Sequence, residues 1–344
     1  MHTAFFSLLL MLSLTATASS HQRDSTKIPG KFSPDYSAFP DAPYTAEEIR
    51  ITTASGHILA GTLTLPKHRP GPVPAVVTIT GSSPQDRDHN TTDGNGDYRV
   101  FRQLADTLGR RGIAVLRMDD RGVGQSTGDF WSATTADRAN DIREGIASLR
   151  KRDEIDGNRV ALVGLSEGGM IAPMIAATDS SLAGIVLMAA PAACGADILR
   201  YQARYRVEQE TEVAPEQRDS VIAAQLNELL EEPDIQTWLH YFLSYDPLKT
   251  ARQVRNVPVL LLQGKTDRNV SYTDSEKLGQ AFRNAGNQDV AVHLFEATNH
   301  LFLHDVDGNP NNYSRLSSFV VSPEILGSIV DWLIEQTSVN SVAR

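Results

Sequence analysis

Cysteine is nearly absent. The 344-residue chain holds one, Cys194, which excludes an intrachain disulfide and any multi-cysteine metal site. No apolar run reaches the roughly 18 residues that a bilayer-crossing helix needs, so no membrane span is expected. No cluster of basic residues stands out either. Lys and Arg total 32 against 42 Asp and Glu, a formal net charge of −10. That argues against nucleic acid as a partner and against a polybasic hold on a membrane. There is no internal repeat and no low-complexity segment. What remains is ordinary globular material, 41% hydrophobic and 22% charged, sufficient for one large α/β domain or two small ones.

The first residues, MHTAFFSLLLMLSLTATASS, have the layout of a secretory signal peptide. An apolar stretch from Ala4 to Leu14 is followed by Ala16-Thr17-Ala18, an A-x-A cleavage pattern. The leading segment lacks Lys and Arg, and the competing reading is a buried N-terminal helix. The expectation is a signal over 1–18 with cleavage after Ala18, and a mature chain secreted or periplasmic. A single cysteine suits that compartment. No cysteine at the cleavage point offers a lipid anchor.

After an extended lead-in over 19–45, the chain alternates strand and helix. Glu48–Thr52 and His57–Leu65 alternate apolar and polar and read as a hairpin. Val73–Thr80 is a buried strand. Tyr98, Phe101, Leu104, Ala105 and Leu108 recur at helical spacing. Strands follow at Gly112–Met118, Arg159–Leu165 and Gly184–Ala189. The helices between them are marked by Ile142, Ile146 and Leu149, with Thr134 and Asp137 as a start signal, and by Met170, Ile171, Met174 and Ile175. Residues 192–248 break the alternation with charged, helical sequence. Strand Val257–Gln263, a helix over 273–285, strand Val290–Phe295 and a helix opened by Ser322 and Pro323 complete the chain. This pattern predicts a mostly parallel sheet covered on both faces.

Two segments match G-x-S-x-G: Gly164-Leu165-Ser166-Glu167-Gly168 and Gly124-Gln125-Ser126-Thr127-Gly128. The motif carries chemistry only where a buried strand leads in and a helix leads out. Ser166 has both, RVALVGL before and EGGMIAPMIAA after. Ser126 follows the charged MDDRGVG and reads as a structural loop. A serine hydroxyl needs a base, and the base a carboxylate to orient it. On such a fold the order is Ser, acid, His, with the last two on loops after late strands. His300, in the EATNHLF loop after the last strand, is the base. His240 lies in the helical insert, His293 inside a strand, and His304 reads as a surface residue. Asp267, in GKTDRNV, is the acid. Asp305 follows the histidine and has the wrong order, and Glu296 is a distant second. The oxyanion hole is expected from the backbone N–H groups of Glu167 and of Ser82, with Ser83 as a reserve.

The phrases TGSSPQDRD (80–88), LRMDDRGVGQSTGDF (116–130), VGLSEGGMIAP (163–173), GKTDRNV (264–270) and TNHLF (298–302) together resemble α/β-hydrolases of the EstD-type esterase group, over about 46–336. The resemblance implies an α/β-hydrolase fold with an eight-stranded sheet, helices on both faces and a small helical cap. It also implies serine-dependent hydrolysis of short-acyl carboxylic esters. Carried over, nucleophile, acid and base fall on Ser166, Asp267 and His300. Leu165 stands where that group often has His, and Ser83 where it often has Gly. The DRGVGQSTGDF phrase is expected to order the loop after the fourth strand, without a catalytic role.

The core is therefore assigned to 46–191 and 249–338, and the cap to 192–248. Its Leu199, Tyr201, Tyr205, Trp238, Tyr241, Phe242 and Tyr245 either wall an acyl pocket or dock the insert on the core. Asp93, Asn95 and Asp97 copy the start of a calcium loop, but Tyr98 and Leu104 replace the required Gly and Glu, so a solvated loop is the reading. His300 and His304 lack the glutamate of a zinc helix. No cofactor and no metal are expected. Asn90, Asn269 and Asn312 head sequons that matter only in a glycosylating host. The leading function is ester hydrolysis of a small-molecule substrate. The alternatives are a peptidase or amidase of the serine-aminopeptidase or prolyl-oligopeptidase kind, with Glu208, Glu210 or Glu212 binding an amine, and a non-catalytic binding protein on the same scaffold.

Overall fold

The computed structural model describes residues 35–90, 97–209 and 213–338. The expected signal peptide, most of the lead-in, Asp93, Asn95, Glu210 and Glu212 lie outside them. One eight-stranded sheet organises the rest, in the order β1-β2-β4-β3-β5-β6-β7-β8. The strands are β1 (Tyr44–Thr52), β2 (Ile58–Pro66), β3 (Val73–Ile79), β4 (Ala114–Met118), β5 (Ile155–Leu165), β6 (Gly184–Met188), β7 (Val259–Gly264) and β8 (Val290–Phe295). The pairs β1–β2 and β2–β4 are antiparallel and all others parallel. The leading hairpin thus closes one edge of a parallel sheet.

Side chains of successive strand residues point to opposite faces. Val76, Val115 and Val163 therefore join one core, with Phe101, Leu104 and Leu108 of α1 (Val100–Arg110) and Ile329 and Leu333 of α9 (Pro323–Thr337). Val77, Leu116 and Leu162 join the other, with Ile142 and Ile146 of α2 (Thr135–Leu149), Ile171 and Ile175 of α3 (Gly168–Ala176), and Phe282 of α8 (Thr273–Asn284). The start signal of α2 is a full capping box: Thr134 accepts from the Asp137 N–H, and Asp137 from the Thr134 N–H. The stretch between β6 and β7 carries α4 (Gly195–Gln209), α5 (Arg218–Leu230), α6 (Gln236–Ser244) and the short α7 (Pro247–Ala251). Its core is Ile198, Leu199, Leu229, Trp238, Leu239 and Phe242, packed on Met170 of α3. This alternation around a parallel sheet, with an insert after β6, is the α/β-hydrolase architecture.

Candidate active site

Ser166 sits at the turn from β5 into α3 with φ 58. That left-handed backbone is sterically costly for a side chain other than glycine. It is held there because the Ser166 N–H donates to the Met188 carbonyl at 2.8 Å and the Ser166 carbonyl accepts from Gly169 at 2.9 Å. The flanking glycines are dictated by close approach. A Cβ on Gly164 would lie 2.1 Å from the Gly168 carbonyl oxygen, and one on Gly168 would lie 2.2 Å from that of Ile79. Ser166 lines a cavity of about 150 Å³ that His300 also lines.

Asp267 follows β7 and is buried, and each of its oxygens is committed. Oδ1 accepts from the backbone N–H groups of Asn269 at 2.8 Å and Val270 at 2.9 Å. Oδ2 accepts from Gln263 Nε2 at 2.9 Å and meets His300 Nδ1 at 2.8 Å. With the carboxylate as acceptor, the imidazole proton belongs on Nδ1, which leaves Nε2 free to act as a base. The His300 loop is fixed in turn. Asn299 Oδ1 accepts from Leu301 and Leu303 N–H, and the His300 N–H donates to the Tyr313 hydroxyl at 3.3 Å. Burial pushes the Tyr313 phenol well above its usual range, so it stays neutral. Ser166, Asp267 and His300 stand after β5, β7 and β8, at the carboxyl end of the parallel strands, where open α/β sheets place their ligands.

Ser82, Ser83 and Glu167 line the same cavity. Among the described residues no hydrogen bond engages the backbone N–H of Ser82 or of Glu167. The loop after β3 is shaped by Gln85, whose Oε1 accepts from the Gly81 N–H at 2.7 Å. Beneath it lies a buried network that sequence reasoning did not anticipate. Arg87, fully buried, forks onto Asp119 at 3.0 and 2.8 Å and reaches Glu48 and Thr62 at 2.6 Å. Arg117 pairs with Asp88. Asp120 accepts from Thr80 Oγ1 at 2.5 Å and the Gln85 N–H at 3.0 Å. Burial raises Asp120 to about 6, against the opposing pull of Arg138. Ser126 belongs to this scaffold: its Oγ accepts from the Ala60 N–H and donates to the Asp119 carbonyl, both at 2.9 Å. The DRGVGQSTGDF phrase therefore orders the loop after β4.

The insert supplies both walls and clasps. Leu199, Trp238 and Phe242 line the cavity, joined by Ile198. Tyr201, Tyr205, Tyr241 and Tyr245 do not. The Tyr201 hydroxyl donates to the Asp267 carbonyl at 3.4 Å, Tyr205 lies under the Arg268 guanidinium, and Tyr241 and Tyr245 stack on each other. His89 is a lining residue that sequence reasoning missed. It is buried against Phe101, near the Gly81 backbone, and burial followed by the charges of His300 and Arg138 lowers it to about 3. Only its place directly after the TGSSPQDRD phrase hinted at it.

The other candidates fall elsewhere. His240 and His304 are exposed. His293 is exposed and bonds Ser328 at 2.7 Å. Asp305 is occupied by the N–H groups of Asp307 and Gly308 and by Asn299. Glu296 pairs with Lys265 at the surface. Among the described residues no three His, Cys, Asp or Glu converge as a metal site, and no helix is long and apolar enough to cross a membrane.

The chain is 27% identical to Esterase EstD of Thermotoga maritima over 300 residues, 85% of this chain and 69% of that one. Its fold superposes on the Pyrococcus furiosus esterase Pf2001 with TM-score 0.58 at 17% identity, covering 88% of this chain and 97% of the other. For Est1E of Butyrivibrio proteoclasticus, solved with ferulic acid bound, the TM-score is 0.55 at 18% identity, covering 85% of this chain and 100% of the other. The family model described as serine aminopeptidase, S33 matches residues 94–307, a span that begins before α1 and ends beyond His300. The chain belongs to that family, Hydrolase_4, within the α/β-hydrolase fold.

Proposed function

We propose that the protein is a carboxylic ester hydrolase acting on short acyl groups through Ser166, His300 and Asp267. The observation that carries this reading is the pairing of Asp267 Oδ2 with His300 Nδ1 at 2.8 Å, beside a cavity into which a strained turn presents Ser166. Ser166 Oγ attacks the acyl carbon and His300 Nε2 takes its proton. The N–H groups of Glu167 and Ser82 receive the developing oxyanion. Collapse expels the alcohol with the proton returned by His300. Water, deprotonated by the same imidazole, then hydrolyses the acyl-enzyme. Trp238, Phe242, Leu199 and Ile198 form an apolar wall that suits a short acyl chain in a cavity of about 150 Å³. Similarity to Esterase EstD supports the same chemistry. The signal-peptide layout of the 1–18 sequence supports placing the enzyme in the secreted or periplasmic space.

Peptidase action is the second reading, favoured by the family's description. Recognition of a substrate amine calls for an available carboxylate. Among the described residues the one carboxylate lining the cavity is Glu167, and it is taken up by Thr135, Arg138 and Trp238; Glu208 is exposed and away from the cavity lining, and Glu210 and Glu212 lie outside the described residues. With Glu167 already committed, the described lining favours esters over aminoacyl amides. The test is hydrolysis of p-nitrophenyl acetate, butyrate, octanoate and palmitate, with an aminoacyl anilide and Ser166→Ala alongside. The expected result is activity that declines with chain length, is absent in the variant and exceeds anilide cleavage. Activity surviving in Ser166→Ala overturns the nucleophile, and faster anilide cleavage establishes the peptidase. A folded protein that hydrolyses nothing and takes up no fluorophosphonate is a binding protein.

A further inference from the structure

The Glu167 carboxylate is buried and satisfied from two directions. From the core, Thr135 Oγ1 donates to Oε1 at 2.6 Å, and Arg138 Nη1 pairs with Oε2 at 3.2 Å. From the insert, Trp238 Nε1 reaches both oxygens, at 3.2 and 3.1 Å. Trp238 is fully buried and stacks on Phe242 at 4.8 Å and edge-on to Trp131 at 5.4 Å. Its indole is thus held in one orientation with the N–H aimed at Glu167. We propose that Trp238 is a positioning residue for catalysis: through the Glu167 carboxylate, the insert sets the direction of the Glu167 backbone N–H. This rests on the ester-hydrolase reading, in which that N–H faces the oxyanion.

The physical reason is the short lever between side chain and backbone. Glu167 caps the start of α3 with helical φ −60 and ψ −29. Its N–H therefore turns with its Cα, and its Cα is tethered by a carboxylate with three partners. Release of one partner lets the side chain, and the amide with it, relax away from the hydroxyl of Ser166. A hydrogen bond to a buried charge is among the stronger ones, and a donor misplaced by a fraction of an ångström loses part of its worth. The N–H survives the substitution, so the loss falls short of the 10²–10³ that removal of a whole donor costs.

The experiment uses Trp238→Phe and, as a shape-preserving partner, replacement of Trp238 by benzothienylalanine, which puts sulfur where the indole N–H was. Each is assayed with p-nitrophenyl acetate and butyrate. Each is also titrated with an alkyl trifluoromethyl ketone, whose reversible adduct with Ser166 passes the hydroxyl proton to His300 and leaves an oxyanion in the hole. The expected result is a fall in kcat of roughly tenfold, alike for both esters. KM stays within twofold, and ketone affinity weakens by the same factor as kcat. Unchanged kcat and ketone affinity overturns the proposal. So does a change confined to KM and acyl-length preference, the mark of a mere pocket wall. Should Trp238→Phe unfold, the benzothienylalanine protein decides alone. Failure of wild type to hydrolyse esters, or activity in Ser166→Ala, instead removes the underlying ester-hydrolase reading and the proposal with it.

Discussion

Asp267→Asn offers the sharpest test of the acid–base pair, because the structure dictates how asparagine must sit. The two backbone N–H groups at Oδ1 force the amide oxygen into that place. The amide NH₂ then occupies the Oδ2 position, facing Gln263 Nε2 at 2.9 Å and His300 Nδ1 at 2.8 Å. Gln263 can adapt by flipping its own amide, since its Oε1 has no partner to lose and only the long 3.4 Å bond from Nε2 to the Gly264 carbonyl is given up. His300 can adapt only by giving up the Nδ1 proton and carrying it on Nε2. That is the tautomer that cannot accept a proton from Ser166. The fold therefore survives and the base does not. The same tautomer error in a serine protease costs about 10⁴ in kcat, equivalent to about 5 kcal/mol of barrier. The assay is kcat on p-nitrophenyl butyrate near neutral pH, with thermal melting as the control for folding. A variant that melts like wild type yet keeps more than a tenth of its rate would refute the argument.

Two further perturbations probe the scaffold. Arg87→Met strands a buried Asp119 without its guanidinium, and loss of one partner from a buried pair costs roughly 3–5 kcal/mol. Urea unfolding should register it, and a loss below about 1 kcal/mol would show that the pair adds little. His89 is held neutral, with its pKa lowered to about 3 from an ordinary 6.5, first by burial. Its share of stability is complete above pH 6.5 and drains away as pH falls towards 3, because the unfolded chain takes the proton first. Asp120, raised to about 6 chiefly by burial, acts in the opposite sense. Its share is present below pH 3.8 and is lost as pH rises through 6. The two oppose each other between about pH 4 and 6. In His89→Gln the Asp120 share remains and the His89 share disappears. Stability change between pH 7 and pH 5, measured by urea unfolding, should differ from wild type by about 2 kcal/mol in the direction of less acid loss. Identical pH dependence in the two proteins would contradict a buried neutral His89.

Much of the candidate site's layout is legible from order and context alone. Ser166 stood out from Ser126 because a buried strand and a helix flank it, and its φ 58 turn and flanking glycines give that flank its physical basis. Asp267 and His300 followed from their places after late strands, and the structure brings them together. Continuous apolar runs mark the parallel strands because β3, β4, β6, β7 and the second half of β5 are buried on both faces, whereas the hairpin at the edge is marked by alternation. What could not be read is what depends on pairing across long separations. Arg87 meets Glu48 across 39 residues and Asp119 across 32, and in sequence each is just another charge. Trp238 looked like one aromatic in a stripe, because an indole N–H aimed 71 residues back at Glu167 leaves no periodic trace. The aromatics of the insert likewise divide into wall and clasp by their neighbours, which composition does not encode.

The interlocking of the segments after β3 and β4 also bears on how such a chain can drift through mutation. Asp119 serves the Arg87 guanidinium, the Arg87 N–H and the Gln125 N–H, while Asp120 serves Thr80 and Gln85. A Cβ on Gly124 would lie 2.6 Å from the Asp119 carboxylate. Single steps at these sites leave a buried charge or donor stranded, so a viable path must cross two or three positions at once. Inheritance through such a bottleneck passes on whole phrases rather than scattered letters. TGSSPQDRD and DDRGVGQSTGDF would then persist as units, and Trp238 of the insert, tied to Glu167, would persist with them, while insert positions that touch neither Glu167 nor the cavity could change one at a time and reshape the roof without reopening the foundations.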